Sequence, residues 1–423
     1  MFIKTTLSMI LIVFSVIVIS TAIVTKQTVA TSTEYNVPPI LALCIFWCSL
    51  LWLAIMEGGL NCMVGLQPIP FSSYKKSHPK TYLCTKISHK ENNIERFIVG
   101  RQYLDLMIVF LTSFMVSSIE DATVLGLPQW VNDIFLGSDL AVILCTIVFG
   151  QLIAQINCAH AMLDFINNYG MVVSTYVALC VEASGILHAV YFVQIIFTKI
   201  KIKPLWQRLF FWIRVIFSLA ISIFAIVVFS TAIITGNTTI RDTIPVPVSF
   251  ISLFILLLIG GFMEALQISI FAVKHLPKEA IDSNPTAKRN CNYILGNNNN
   301  DNEDNNSSNN SRLQSFLVGR QIAQTVIMFM IARIITVEMK NTTPGSDNTT
   351  LFGVSTQIQT IFFDSGLLNA LVSTIFASLS WRVTANFFPM LYLGSPFSIW
   401  IIRLCLLVEG TGICDAAWTL AKI

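Results

Sequence analysis

The chain has 423 residues, of which 54% are hydrophobic and only 12% charged, with a formal net charge of +3. A soluble fold of that length could not hide so much apolar surface, whereas a bilayer can, and the slight positive balance points to neither nucleic acid nor an acidic partner. The ten cysteines lack metal-type Cys-x-x-Cys spacing, and no Walker loop, dinucleotide fingerprint, His-Glu-x-x-His or nucleophile elbow occurs, so neither a metal site nor an enzyme is expected.

Hydropathy predicts ten membrane-spanning helices, in chain order 5–24, 38–66, 97–118, 134–156, 171–197, 208–235, 244–273, 315–337, 357–380 and 397–420. Lys4 ahead of an apolar run would suit a signal peptide, but the run from Leu7 to Val24 is long for a signal core and is expected to be retained. Between the seventh and eighth spans lies an Asn-rich loop, about 292–312. Its tract from Asn297 to Asn310 has no apolar residue to bury and is expected to be disordered.

The spans repeat. Val18-Ile19-Ser20-Thr21-Ala22-Ile23-Val24-Thr25 returns as Val228-Phe229-Ser230-Thr231-Ala232-Ile233-Ile234-Thr235, and Met56-Glu57-Gly58-Gly59 returns as Met263-Glu264-Ala265-Leu266. Phe97-Ile98-Val99-Gly100-Arg101-Gln102 returns as Phe316-Leu317-Val318-Gly319-Arg320-Gln321. Ile134-Phe135 matches Ile361-Phe362 and, without a gap, Val181-Glu182-Ala183-Ser184-Gly185-Ile186 falls on Val408-Glu409-Gly410-Thr411-Gly412-Ile413. The chain therefore divides into a first five-helix repeat, 1–207, and a second, 208–423. An odd number of spans per copy makes the second copy enter from the opposite side. The expected architecture is all-α and integral to the membrane, with ten helices in two inverted five-helix repeats and a site near the midplane between them.

Under that topology ten basic residues flank one face and eleven the other, so the positive-inside rule does not orient the chain. The loops at 67–96 and 274–314 fall on opposite sides. So do the sequons at Asn305, Asn306 and Asn309 and those at Asn237, Asn341 and Asn348, and only one set can be glycosylated.

A charge at the centre of a spanning helix costs about 2.5–3.5 kcal/mol on insertion scales, so it needs a partner or a wet cavity. Here the charges come in matched pairs: Glu57 with Glu264, Arg101 with Arg320, and Glu182 with Glu409. Two uses suit them. They surround a polar cavity between the halves, or they lock helices by ion pairing, as Arg101 would with Asp105 one turn later. The small residues after Glu182 and Glu409 equally suit close helix packing.

Gly-Arg-Gln opening a span, with an upstream Glu-x-x-Gln on the span before, resembles the silicon transporters of diatoms and other silicifying protists. The likeness extends over essentially the whole chain, through Glu264-Ala265-Leu266-Gln267, both Gly-Arg-Gln triplets and Ala161-Met162-Leu163-Asp164-Phe165. It implies uptake of orthosilicic acid coupled to sodium, with both termini cytoplasmic. The chain departs from the family pattern at Leu60, where the first repeat would carry Gln, and at Ala265, where the second would carry Gly; the coiled-coil tail common in the family is not expected here.

On that basis the substrate-binding residues are expected to be Glu57, Arg101, Gln102, Glu264, Gln267, Arg320 and Gln321. Glutamine both donates and accepts, carboxylates accept, and arginines donate. Sodium would take carboxylate and backbone oxygens, with Glu57, Glu264, Gly58 and Gly59 at a helix break as the ion-coupling set. No cofactor beyond the coupling ion is expected. The expected partners are orthosilicic acid, sodium and the bilayer, without nucleic acid; a homo-oligomer stays open, and the plasma membrane is the expected location. The rivals are a passive channel or a carrier for boric or arsenious acid, a chemosensory receptor, and a membrane enzyme. Against the last, His160 and His188 stand isolated from any partner constellation.

Overall fold

A computed structural model describes residues 2–32, 35–119, 122–197, 205–238, 244–273, 284–295, 303–337, 351–353, 355 and 359–422. The described chain is helical, with two isolated β-bridges. Among the described residues, eight helices are long and apolar enough to cross a membrane. In the first half they are α1 (Phe2–Val24), α2 (Pro39–Gly65), α4 (Asn93–Val116) and α5 (Leu140–His160); a short helix, α3 (Pro79–Ser88), lies between α2 and α4. In the second half they are α8 (Leu205–Thr235), α9 (Val246–Val273), α11 (Glu303–Ile335) and α12 (Phe362–Phe387), with α10 (Pro285–Leu295) before α11.

The spans expected at 171–197 and 397–420 are broken. The first is α6 (Tyr169–Ala183), a turn, and α7 (Ala189–Phe197); the second is α13 (Pro396–Gly410), a turn, and α14 (Ala416–Leu420). Fifteen helical residues rise about 22 Å, short of a hydrocarbon core of about 30 Å. The breaks fall at Gly185 (φ +86°) and Gly412 (φ +73°), a left-handed backbone that glycine adopts without penalty.

Each turn docks on the other half. Ser218 Oγ on α8 donates to the Ile186 carbonyl and accepts from Ala189 N at 2.9 Å. Ser8 Oγ on α1 donates to the Ile413 carbonyl at 2.5 Å and accepts from Ala416 N at 2.9 Å. Lys4 Nζ also caps the Gly410 carbonyl, satisfying one of the acceptors a helix end leaves free.

These contacts fix the direction of the second half. The bridge Thr28↔Ser118 joins the ends of α1 and α4. Arg96, at the start of α4, holds Glu182 at 2.6 Å, so the turn after α6 lies on the face from which α1 and α4 start. Ser218 of α8 meets that turn, as Ser8 of α1 meets the turn after α13. At the other face Arg333, near the end of α11, reaches Asp139, which also accepts from Ser113 near the end of α4. The halves run parallel. This corrects the inverted arrangement: the inversion rested on five crossings per half, and the fifth apolar run folds back at its glycine instead of crossing.

Two further expectations change. α2 runs unbroken from Pro39 to Gly65, so Gly58 and Gly59 make no helix break. They admit neighbours instead, the Phe165 ring against Gly58 and Met171 against Gly59. In the Asn-rich tract, residues 297–302 lie outside the described residues, but helix α11 already begins at Glu303, inside the stretch expected to be disordered. Extending an existing helix needs no new nucleus, which is the costly step.

Candidate functional site

The Gly-Arg-Gln triplets sit where a helix meets a broken one. A methyl group on Gly100 would collide with the Ala178 carbonyl oxygen of α6, and one on Gly319 with the Cys405 carbonyl oxygen of α13. Glycine is thus required for the close approach, and the following arginine is carried into the interior. Arg101 is 2% exposed and Arg320 5%.

In the first half Arg101 Nη1 lies 2.7 Å from Asp105 Oδ2 and 3.4 Å from Glu57 Oε2, while its Nη2 donates to Gln102 Oε1 at 3.3 Å. In the second half Arg320 Nη1 donates to Glu264 Oε1 at 3.4 Å and its Nη2 to Gln321 Oε1 at 2.8 Å. The other oxygen of Glu264 accepts from Arg382 Nε at 2.8 Å. Glutamine therefore orients arginine in both halves, and a glutamate on the preceding spanning helix receives it.

The halves differ in their third charged partner. Counted from the triplets, Asp105 corresponds to Gln324; counted from Ile134 and Ile361, Arg382 corresponds to Gln155. The first half thus holds two acids and one arginine, and the second two arginines and one acid. Glu57, Asp105 and Glu264 balance Arg101, Arg320 and Arg382, and the whole is neutral. The two groups are in electrostatic reach of each other, Arg101 of Glu264 and Asp105 of Arg382. Buried charges persist only when so paired; removing one partner of such a pair costs about 3–5 kcal/mol.

Of the residues expected at the site, Glu57, Arg101, Gln102, Glu264, Arg320 and Gln321 come together here. Gln267 is one turn from Glu264, with its amide oxygen buried and without a hydrogen-bond partner among the described residues. Leu60, its counterpart, packs among Met56, Cys62 and Met63. Arg382 was placed by sequence in a loop just beyond a span; the α12 helix continues through it to Phe387. Its register against Gln155, inside an apolar run, was the available signal. Glu182 is held elsewhere, by Arg96 at the helix ends, so it belongs to the docking turn and not to the centre.

The far face carries a second polar group. Arg333 donates to the Gly137 carbonyl and lies 3.7 Å from Asp139 Oδ2, and Tyr35 Oη donates to Asp364 Oδ2 at 2.9 Å. Both pairs join one half to the other across a small cavity lined by Val29, Ser113, Ser117, Thr336 and Val337. Asp139 holds a left-handed backbone, φ +60°, where the second half has Gly366 at φ +73°. An aspartate there is uncommon, and its buried carboxylate meets Arg333 and Ser113.

A family model described as silicon transporter matches residues 1–423. No curated protein and no solved structure matches the chain.

Proposed function

This chain belongs to the silicon transporter family, and we propose that it accumulates orthosilicic acid by sodium-coupled alternating access at the charged cluster between its halves. The observation that carries this is the neutral arrangement of Glu57, Arg101, Asp105, Glu264, Arg320 and Arg382 with flanking glutamines, at membrane depth and shared between the two repeats. Orthosilicic acid is small, uncharged at neutral pH and offers four hydroxyls. It suits a site whose acceptors and donors are both fixed and whose net charge is zero.

An uncharged solute gains nothing from the membrane potential, so accumulation needs a coupled ion, which gains about 2.3 kcal/mol per charge per 100 mV. A hard cation prefers oxygen ligands, and the first half supplies them. Glu57 and Asp105 share one arginine, and Asp105 accepts no hydrogen bond from any other described group. Glu264 is less available, being held by two arginines. Repeats related by an axis along the membrane normal are a known transporter plan, in which one half rocks against the other around a fixed site. The Arg333–Asp139 and Tyr35–Asp364 pairs tie the halves together at the far face, as a closed gate would.

Orientation follows from parallel halves. Among the described residues, and with Arg382 set aside, Lys4, Lys75, Lys76, Lys80, Lys86, Lys90, Arg96, Arg208, Lys288, Arg289, Arg312 and Lys422 flank the face of the termini. Among the described residues Lys26 and Arg333 flank the other. The near tie of the inverted scheme becomes twelve to two among the described residues, and the positive-inside rule then favours cytoplasmic termini. The plasma membrane is the proposed location, with the face of the Arg333–Asp139 pair outside.

The test is uptake of silicic acid by purified protein in liposomes, with and without an inward sodium gradient. Saturable uptake that exceeds equilibrium only with the gradient supports the proposal. Uptake indifferent to sodium, or equal for boric acid, replaces it with a passive route.

A further inference from the structure

The charged groups of the central cluster pair with one another, but arginine only donates and a carboxylate only accepts, which leaves open what meets the hydroxyls of the solute. A second set of groups, none of them charged, lies at the contact between the halves. Serines and threonines in these helices usually donate to the carbonyl one turn back, as Thr112 does to Ile108 and Thr374 to Ala370. Thr146, Ser373 and Ser378 do not. Their hydroxyls are fully buried and have no hydrogen-bond partner among the described residues. Neither the oxygen nor the nitrogen of the Gln324 amide has one, although the residue is only 6% exposed.

These positions are related. Thr146 and Ser373 correspond to each other in the two halves, as do Gln151 and Ser378. Both pairs lie at or beside π-helical stretches, Thr146–Leu152 in α5 and Thr374–Leu379 in α12. Such wide turns are rare and concentrate at functional sites. Each stretch packs on a helix of the other half, the first against α11 and the second against α4. Gln151 Oε1 accepts from Thr325 Oγ1 at 2.8 Å across that contact, next to Gln324. Gln324 itself reaches toward Gly260 of α9, one turn from Glu264.

We propose that Thr146, Ser373, Ser378 and Gln324, supported by the Gln151–Thr325 pair, form a neutral hydroxyl-and-amide site that takes the uncharged polyhydroxy solute as it crosses between the halves. The inference rests on the silicon-transport reading and names which residues discriminate the solute. Hydroxyls and amides both donate and accept, whereas arginine only donates and a carboxylate only accepts. A solute with four hydroxyls, each both donor and acceptor, is matched by the first kind. A site of neutral bonds also releases what it binds, which passage requires.

The experiment measures initial silicic acid uptake against concentration for the full chain in liposomes, for Thr146→Val, Ser373→Ala and Gln324→Leu. Each should raise KM about five- to hundred-fold, the loss expected when one buried hydrogen bond goes unmade, with the maximal rate largely kept. Thr146→Ser, which keeps the hydroxyl, should restore the parent KM. Parent-like KM in all three, with normal membrane levels, overturns the site while leaving silicon transport standing. A parent protein that takes up no silicic acid overturns both. For a variant without measurable uptake, silicic acid should raise the unfolding temperature of the purified protein less than it raises the parent's; an equal rise overturns the site.

Discussion

Arg382 turns its Nε and Nη2 on the same oxygen of Glu264, both at 2.8 Å, while Arg320 takes the opposite oxygen at 3.4 Å. The carboxylate is shared by two arginines from different helices. A buried charge that loses one partner is left uncompensated, but losing both ends of a pair is far less costly. Arg382→Gln or Glu264→Gln alone should destabilise the protein by about 3–5 kcal/mol, and the double variant by clearly less than their sum. Unfolding of the three purified variants decides this; strictly additive losses would show that the residues do not act as a pair.

Both central arginines use two nitrogens at once, one toward carboxylates and one toward the adjacent glutamine. Lysine has a single ammonium and cannot span that geometry. Arg101→Lys and Arg320→Lys should therefore lower silicic acid uptake at least about ten-fold at equal membrane levels. Near-normal uptake would leave the arginines a packing role only.

The glycine of each triplet answers to a neighbouring backbone. Gly100→Ala and Gly319→Ala drive a methyl into a carbonyl oxygen that cannot rotate away, and overpacking of this kind costs about 3 kcal/mol or more. Nothing lies within 4 Å of the methyl in Gly410→Ala, which should be tolerated. Melting temperatures in detergent should fall sharply for the first two and little for the third; the reverse order sinks the close-approach account.

Parallel halves place the segments after α2 and after α9 on one face. Epitope tags inserted next to Lys76 and next to Arg289 should both be reached only after permeabilisation of the cell, and a tag beside Asn237 without it. If the Lys76 and Arg289 tags respond oppositely, the halves are inverted after all.

Gln267 has a buried, unpartnered amide oxygen, and its counterpart Leu60 is packed in an apolar cluster. The second half must then supply alone the contact that two glutamines could share. Gln267→Leu should weaken apparent affinity about five- to hundred-fold, whereas Leu60→Gln should be tolerated or tighten it. Parent-like uptake curves for Gln267→Leu would move the solute contact elsewhere.

Membrane class, and the meeting of Glu57, Arg101, Gln102, Glu264, Arg320 and Gln321 out of seven residues expected at the centre, were legible because they depend on residue type and spacing. Apolar composition forces the chain into lipid, and a charge in an apolar run has to find a partner there. Arg382 escaped because hydropathy ends a span where charge begins, although the helix continues wherever a buried acid waits for that charge. Gln324, Thr146 and Ser373 escaped for the opposite reason. An uncharged polar residue in a spanning helix is ordinary until its lack of a partner is seen.

The sequence by itself determined that two copies of one unit lie in a bilayer with paired Glu and Arg at depth, since burial and pairing are demands each residue makes locally. Only the tertiary structure decided which way the second copy runs. Hydropathy measures how long an apolar run is, not whether it goes through. Runs 171–197 and 397–420 are long enough to cross, yet Gly185 and Gly412 turn them back onto α8 and α1. That fold-back changes the number of crossings in each half from odd to even, and with it the symmetry of the whole molecule.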